Sequence, residues 1–477
     1  MDSHTTAPFT LSAEFASEIP PLAAPWQGEE APDPELLLLN EDLAQFLGLD
    51  IAWLKTSEGI QFLLGLNPQP LTQAVAQAYS GHQFGQFVPS LGDGRALLLG
   101  EIRAQDGALR DIHLKGSGRT QFSRGADGRA ALGPVLREYL ISEAMHALGV
   151  PTTRSLAVLT TGRKVQRDQV MPGAVLVRVA TSHIRVGSFQ YSNISGGIVL
   201  SRKLADYAIS RHFPELVPEM EHHSPELYQS FFRSVLQRQA TTVAAWTRLG
   251  FVHGVLNTDN TLISGETIDY GPCAFMDRYR KDAKFSSIDH QGRYQFANQP
   301  LILGWNMARF VETLLPLLGE TPDEGMSQAQ EILGGFDELC QKAIHQEFAS
   351  ALGIDASQAA LIDEFQELLY RHKPDISTLL HALATNTAPP SGFEQFVHSW
   401  KALDPDIEGM QKFNPLFIPR NHLVEAALED AVHGNMDRFN ELFHAVTHPF
   451  DPQAGSTELM QPSDDGFEEN FMTYCGT

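Results

Sequence analysis

The chain has 477 residues, 43% of them hydrophobic and 19% charged, an ordinary globular composition that can bury a large core without disulfide or metal staples. There are 34 Lys and Arg against 58 Asp and Glu, a formal charge of −24, which argues against nucleic acid or a membrane surface as a partner. Three cysteines (Cys273, Cys340 and Cys475) exclude a disulfide scaffold and an all-cysteine zinc site. No apolar run reaches the roughly 18 residues of a transmembrane helix. The N-terminus lacks the basic and apolar regions of a signal peptide, so a soluble cytoplasmic protein is expected.

In chain order, residues 1–35 are rich in Pro, Ala and Glu and read as an extended arm. Residues 35–54 are predicted as one or two helices, and 71–79 as another helical stretch. Residues 95–103, with the run Ala96-Leu97-Leu98-Leu99, predict a buried strand. Gln105-Asp106-Gly107 supplies a hairpin turn, and 109–115 the returning strand. Period-two alternation puts Ile112 and Leu114 on one face and His113 and Lys115 on the other. Residues 134–148 predict a helix, with Pro134 in its first turn and Gly149 as its stop. Further strands are expected at 156–159 and 174–180, and a small hairpin at 261–268. From Leu204 the pattern is mainly helical, with amphipathic helices over 301–447; Cys340 is expected to be a small buried residue in one of them. The acidic segment 451–470 holds no Lys or Arg and reads as solvated and mobile.

Charge is unevenly distributed. Residues 101–200 carry 13 Lys and Arg against 7 Asp and Glu, a basic island in an acidic chain. Such an island suits a compact anion such as a polyphosphate; uneven salt bridging is the plainer account.

Four groups of residues carry chemistry. Gly92-Asp93-Gly94-Arg95 is a two-glycine turn whose backbone can approach phosphate closely, or an ordinary β-turn. Lys115 on a strand, followed by Glu138 on the next helix, matches the order in which protein kinases pair a phosphate-binding lysine with a helix carboxylate. His253-Gly254-Val255-Leu256-Asn257-Thr258-Asp259-Asn260, then Asp269-Tyr270-Gly271, compares with H-R-D-L-x-x-x-N and D-F-G. Asn260 and Asp269 are hard oxygen ligands suited to Mg2+ or Mn2+ on nucleotide phosphates. Val255 stands where a kinase has its catalytic Asp and cannot accept a proton. Asp259 is a nearby carboxylate that can serve as base or simply hydrogen-bond within its loop, and His253 reads as a packing hub. Last, Asp127-Gly128 sits in a glycine-rich turn, while Arg178 and Arg185 are arginines fit for pyrophosphate or for surface ion pairs.

The motifs YSGHQFG (79–85), KGSGRTQFSR (115–124), ADGRA (126–130), SEAMH (142–146), GVPTTR (149–154) and HGVLNTDN (253–260) together resemble the selenoprotein O family, over most of the chain. The resemblance implies an α+β, two-lobed, protein-kinase-like fold with extra C-terminal helices. Its implied divisions are an extension (1–70), a nucleotide-binding lobe (71–190), a lobe with the catalytic and metal loops (191–320), added helices (321–450) and an acidic tail (451–477). It also implies that AMP moves from a reversed ATP to Ser, Thr or Tyr hydroxyls of proteins while pyrophosphate leaves; the enzyme itself is a further candidate acceptor. Gly92, Gly94, Arg95, Lys115, Asp127, Gly128, Arg178, Arg185 and Asp269 match its ATP-binding positions, Glu138 the lysine's partner, Asp259 the proton acceptor, and Asn260 and Asp269 the metal ligands. Cys475 stands where many eukaryotic members carry selenocysteine. By resemblance Cys273 is its disulfide partner, a bond that in a cytosol is regulatory rather than structural. A γ-phosphoryl kinase, an inactive nucleotide-sensing scaffold and UMP transfer from UTP stay open as alternatives.

Overall fold

The structure is a computed structural model and describes residues 8–66, 74–167, 169–218, 220–464 and 466–474. One half is an antiparallel sheet. Its strands are β1 (Ala23–Pro25), β2 (Glu35–Leu39), β3 (Val75–Gln77), and, beyond a separate hairpin of β4 (Gly81–Gln83) and β5 (Gln86–Val88), β6 (Ala96–Arg103), β7 (Leu109–Lys115), β8 (Ala130–Ala131), β9 (Arg154–Gln166) and β10 (Val170–Ala180). Across the sheet the order is β1-β3-β6-β7-β10-β9-β2, with β8 paired to β10. Gly107, at φ +80°, makes the β6–β7 turn.

Alternation along β7 decides what each face does. Ile112 and Leu114 are fully buried in a core shared with the short helices α2 (Glu41–Phe46), α3 (Ile51–Leu54) and α4 (Ser57–Leu63), which follow α1 (Glu14–Glu18). Each such side chain contributes roughly 1.5–3 kcal/mol by leaving water. His113 and Lys115 face the other way, toward α5 (Leu132–Ala147), which lies across the sheet. In β10, Leu176 pairs in register with Lys115 and Arg178 with His113, so the charged residues share one face. Helix α5 starts two residues before Pro134 and stops before Gly149, at φ +76°.

The second half is helical. Helix α6 (Val186–His212) is broken at Gly197, whose φ of +58° is not helical. Helix α7 (Pro225–Leu249) has Ser224 as its N-cap and left-handed Gly250 as its stop. Strands β11 (Phe251–Val252) and β12 (Ala274–Phe275) pair and clasp the intervening loop, which carries both kinase-like motifs. Helix α8 (Gln299–Val311) follows, then a series of amphipathic helices from Pro322–Gly334 to Asp437–Thr447. Cys340 is buried within Phe336–Leu352, as expected. Among the described residues no helix is long and apolar enough to cross a membrane.

Five expectations need correction. The arm is not extended: Leu11, Phe15, Ile19 and Leu22 are buried against the sheet half, and β1 pairs with β3. Glu35–Leu39 is an edge strand rather than helix, because its leucine run pairs with β9. Residues 75–77, expected to be helical, form β3; residues 71–73 lie outside the described residues. Residues 261–268 form a turn, not a hairpin, since Leu262 bridges to Arg185 and Thr267 to Thr152. The acidic tail is docked. Glu468 accepts the backbone N–H groups of Asp277 and Arg278 at 2.9 and 2.8 Å, and Thr473 exchanges backbone bonds with Phe285 and Ser287. Here a carboxylate fills orphan donors, something composition alone does not reveal.

Candidate active site

A cleft of about 480 Å³ between the sheet and the clasped loop gathers the predicted residues. Gly92, Gly94, Arg95, Lys115, Asp127, Gly128, Glu138, Arg178, Arg185, Asp259, Asn260 and Asp269 all line it. A larger hollow of about 870 Å³ lies behind α5, but there Glu143 is saturated by Arg154, Asn40 and the Ser155 N–H.

At one side of the cleft, four charges interlock. Lys115 Nζ donates to Glu138 Oε2 at 2.6 Å and to Asp269 Oδ1 at 2.8 Å. Arg178 donates from Nε to Glu138 Oε1 at 2.5 Å and from Nη2 to Asp269 Oδ1. Burial alone would raise the Asp269 pKa, but Arg178, Lys115 and Arg185 outweigh it and hold the group well below the usual carboxylate value. Asp269 sits at φ +65°, a left-handed conformation unusual for a non-glycine residue and typical of functional turns.

On the other side, Asp259 sits in the 3-10 turn Thr258–Asn260. Burial pushes its pKa up to about 6. Gln83 Nε2 donates to its Oδ2 at 3.2 Å, while Oδ1 is buried with no hydrogen-bond partner among the described residues. Asn260 Nδ2 donates to the Val255 carbonyl at 3.0 Å, which leaves its amide oxygen as the unspent end. Val255 itself is buried. His253 bonds through Nε2 to the Ile268 carbonyl at 2.8 Å and stacks near Trp246, the packing hub expected.

Arg185 stacks over the Tyr79 ring at 4.1 Å, and its Nε has no hydrogen-bond partner among the described residues. Burial works against its charge, but Tyr79, Asp93 and Asp269 keep its pKa raised. Arg95 makes no ion pair with the described residues, and burial lowers its pKa. Gly92 adopts φ +63°, and a Cβ there would lie 2.3 Å from the Phe122 ring, so the turn needs glycine. Gly128, at φ +70°, packs as tightly against Gly118. Asp127 is not free: Arg167 holds it from two nitrogens, at 2.9 and 3.0 Å.

Three residues escaped the sequence reading. Asp93 Oδ2 is bonded to His113 at 3.1 Å and to the Gln77 N–H at 3.0 Å, with Oδ1 3.9 Å from Arg185. Asp93 lay inside the glycine turn already singled out, and alternation had put His113 beside Lys115. Gln83 lay in the 79–85 motif, with nothing local to tie it to Asp259. Cys273 is a buried thiol with no disulfide to a described residue, and burial raises its pKa to about 12. Its expected partner Cys475 lies outside the described residues.

The family described as protein adenylyltransferase SelO matches residues 8–402. A protein nucleotidyltransferase YdiU of Corynebacterium glutamicum (strain R) is 73% identical over 99% of this chain and 100% of its own length. The YdiU proteins of Mycobacterium sp. (strain KMS) and Rhodococcus jostii (strain RHA1) are 50% and 46% identical, over 98% and 99% of this chain and 99% and 95% of theirs. With this extent of similarity, and with the family's motifs gathered around one cleft, the chain belongs to the SelO family of protein adenylyltransferases and is an enzyme of the nucleotidyltransferase class.

Proposed function

We propose that the enzyme transfers AMP from ATP to Ser, Thr or Tyr hydroxyls of proteins, with itself among the acceptors, and releases pyrophosphate. In this reading the sheet and helical halves are the two lobes of a kinase-like fold, with residues 71–190 binding the nucleotide and 191–320 supplying the catalytic loops. One observation carries the proposal: the kinase base position is the buried, apolar Val255, while the half-satisfied carboxylate of Asp259 faces the same cleft.

Asp259 takes the proton from the acceptor hydroxyl, whose oxygen attacks the α-phosphorus as the bond to the bridging oxygen breaks. Lys115, Arg178 and Arg185 receive the charge that develops on the departing pyrophosphate. Arg95 and the turns at Gly92, Gly94, Asp127 and Gly128 frame the nucleotide. Asn260, with its amide oxygen unspent, and Asp269, ionised and with Oδ2 unbonded among the described residues, fit a divalent ion. Mg2+ or Mn2+ held there would offset phosphate charge.

Intact mass spectrometry after incubation with ATP and Mg2+ or Mn2+ tests this, beside parallel assays with α- and γ-labelled ATP. An AMP-sized adduct carrying the α-label is expected. Transfer of the γ-label alone would establish a kinase instead, and an α-label adduct formed only from UTP would make UMP the transferred group.

Regulation through Cys273 and Cys475 belongs to the same proposal. The tail passes beside Cys273, since Thr473 Oγ1 donates to the Pro272 carbonyl at 2.8 Å. Oxidation is expected to change the activity of the parent but not of Cys475→Ser; equal responses would remove the link.

A further inference from the structure

The β4–β5 hairpin reaches the base only through Gln83, yet three of its residues are fastened to the turn that carries Asp259. The His82 N–H donates to Thr258 Oγ1 at 2.7 Å, Gln83 to Asp259 at 3.2 Å, and the Phe84 N–H to Asn257 Oδ1 at 3.2 Å. A Cβ on Gly81 would lie 2.5 Å from Asp259 Oδ1. Anything seated on this hairpin is therefore held at a fixed offset from the carboxylate proposed as base.

Its outer surface is apolar where a solvated turn would be polar. Phe84 is 36% and Phe87 42% exposed. Phe84 holds φ +52°, a strained conformation, and its N–H is also bonded to the Tyr294 hydroxyl at 3.0 Å. Phe84 and the exposed Ile288 line the mouth of the cleft. Phe87 packs on His82 at 4.8 Å, and His82 meets the edge of Trp305, on α8, at 5.1 Å. Arg293 and Arg309 each lie over Trp305 at 4.9 Å. Arg309 pairs with Glu312, whereas the half-buried Arg293 has no carboxylate partner among the described residues and lies beside the Tyr294 ring. In a chain with 58 Asp and Glu, a guanidinium that no described carboxylate neutralises, beside exposed aromatic rings, favours a partner that is both apolar and anionic.

We propose that this surface docks the acceptor segment of protein substrates, reading an apolar side chain with Phe84 and Phe87 and a nearby carboxylate with Arg293. This deepens the transfer reading above and rests on it. The occupant is an extended stretch of polypeptide whose hydroxyl reaches Asp259 while its flanking residues lie on the hairpin and α8.

The test uses the full-length enzyme and peptide libraries centred on one Ser, Thr or Tyr, degenerate elsewhere except for one fixed Phe, Asp, Ala or Lys at each flanking position in turn. Two readouts are taken: AMP transfer from α-labelled ATP, and binding of the fluorescent peptides in the presence of a non-hydrolysable ATP analogue. At some flanking position Phe is expected to exceed Ala by about tenfold, and at another Asp to exceed Lys by about fivefold. Phe84→Ala and Phe87→Ala should erase the Phe preference, and Arg293→Glu should invert the Asp-over-Lys order, all with ATP affinity unchanged. Libraries of equal affinity, or preferences untouched by these substitutions, overturn the docking surface even if AMP is transferred. Binding with the expected preferences but no α-label transfer would instead count against the AMP-transfer reading and leave the surface standing.

Discussion

Two groups of charges line the same cleft and are held in opposite ways. In the Lys115–Arg178–Glu138–Asp269 cluster each cation bridges both carboxylates. In the Asp93–Arg185–Asp259 group, one carboxylate oxygen on each aspartate and the arginine Nε are buried without a hydrogen-bond partner among the described residues. An unsatisfied buried polar group costs about 1–3 kcal/mol. The first group is thus a self-sufficient tie between β7, β10, α5 and the clasped loop, whereas the second is completed only from outside. The first group holds its shape before any substrate arrives, whereas the second has polar atoms still to be satisfied.

The largest effect that would sharpen this contrast is at Asp259. Asp259→Asn keeps the shape and removes the proposed base, and a fall in transfer rate on the order of 10³-fold is expected with ATP binding retained. Stability should move the other way. Folding raises the Asp259 pKa from 3.8 to about 6, so ionising it costs stability as pH climbs through that window. The variant should therefore be more stable than the parent at pH 8, by up to about 3 kcal/mol, and no more stable at pH 4. Calorimetric melting at the two pH values checks this; a variant that melts lower at pH 8 would place Asp259 among the structural ties.

Next in size is the compensated cluster. Arg178→Ala removes the one guanidinium that spans Glu138 and Asp269 from within the sheet, and should cost about 3–5 kcal/mol in denaturant unfolding. Lys115 bridges the same two carboxylates but is less buried than Arg178, so Lys115→Ala should cost clearly less, about 1–2 kcal/mol, although transfer is expected to be lost in both. Equal stability losses would break the claim that Arg178 is the tie and Lys115 the phosphate contact.

How much of this was legible in the sequence follows from which contacts are local. The β6–β7 hairpin, its alternation and the start and stop of α5 were readable because turn glycine, period-two burial and capping act over a few residues. The Lys115–Glu138 pair was readable because its order along the chain is shared with kinases. The edge strand Glu35–Leu39 was misread because a leucine run suits helix and strand alike, and only pairing with β9, more than a hundred residues away, decides it. Gln83 was missed as a partner of Asp259 for a similar reason: 176 residues separate them, and nothing near either one announces the contact. The tail was misjudged because net charge predicts solvation, whereas Glu468 is consumed by two backbone donors of the helical half.

The smallest expected effect probes the only described hydrogen bond from a neighbouring side chain to Asp259. Transfer should rise with pH through an acid limb near pH 6, since the base must be ionised and burial sets its pKa at about 6. Gln83 donates to the carboxylate and so favours its charged form. Gln83→Leu removes that support without adding charge, and one such bond is worth about 0.5–1.5 kcal/mol, or up to about one pH unit. The limb should move upward: activity falls several-fold near pH 6.5 and is nearly unchanged at pH 8.5, where the carboxylate is ionised in either protein. A uniform loss at every pH would mean that Gln83 places the hairpin rather than tuning the base. A limb that stays where it was in the parent would mean that some group other than Asp259 takes the proton.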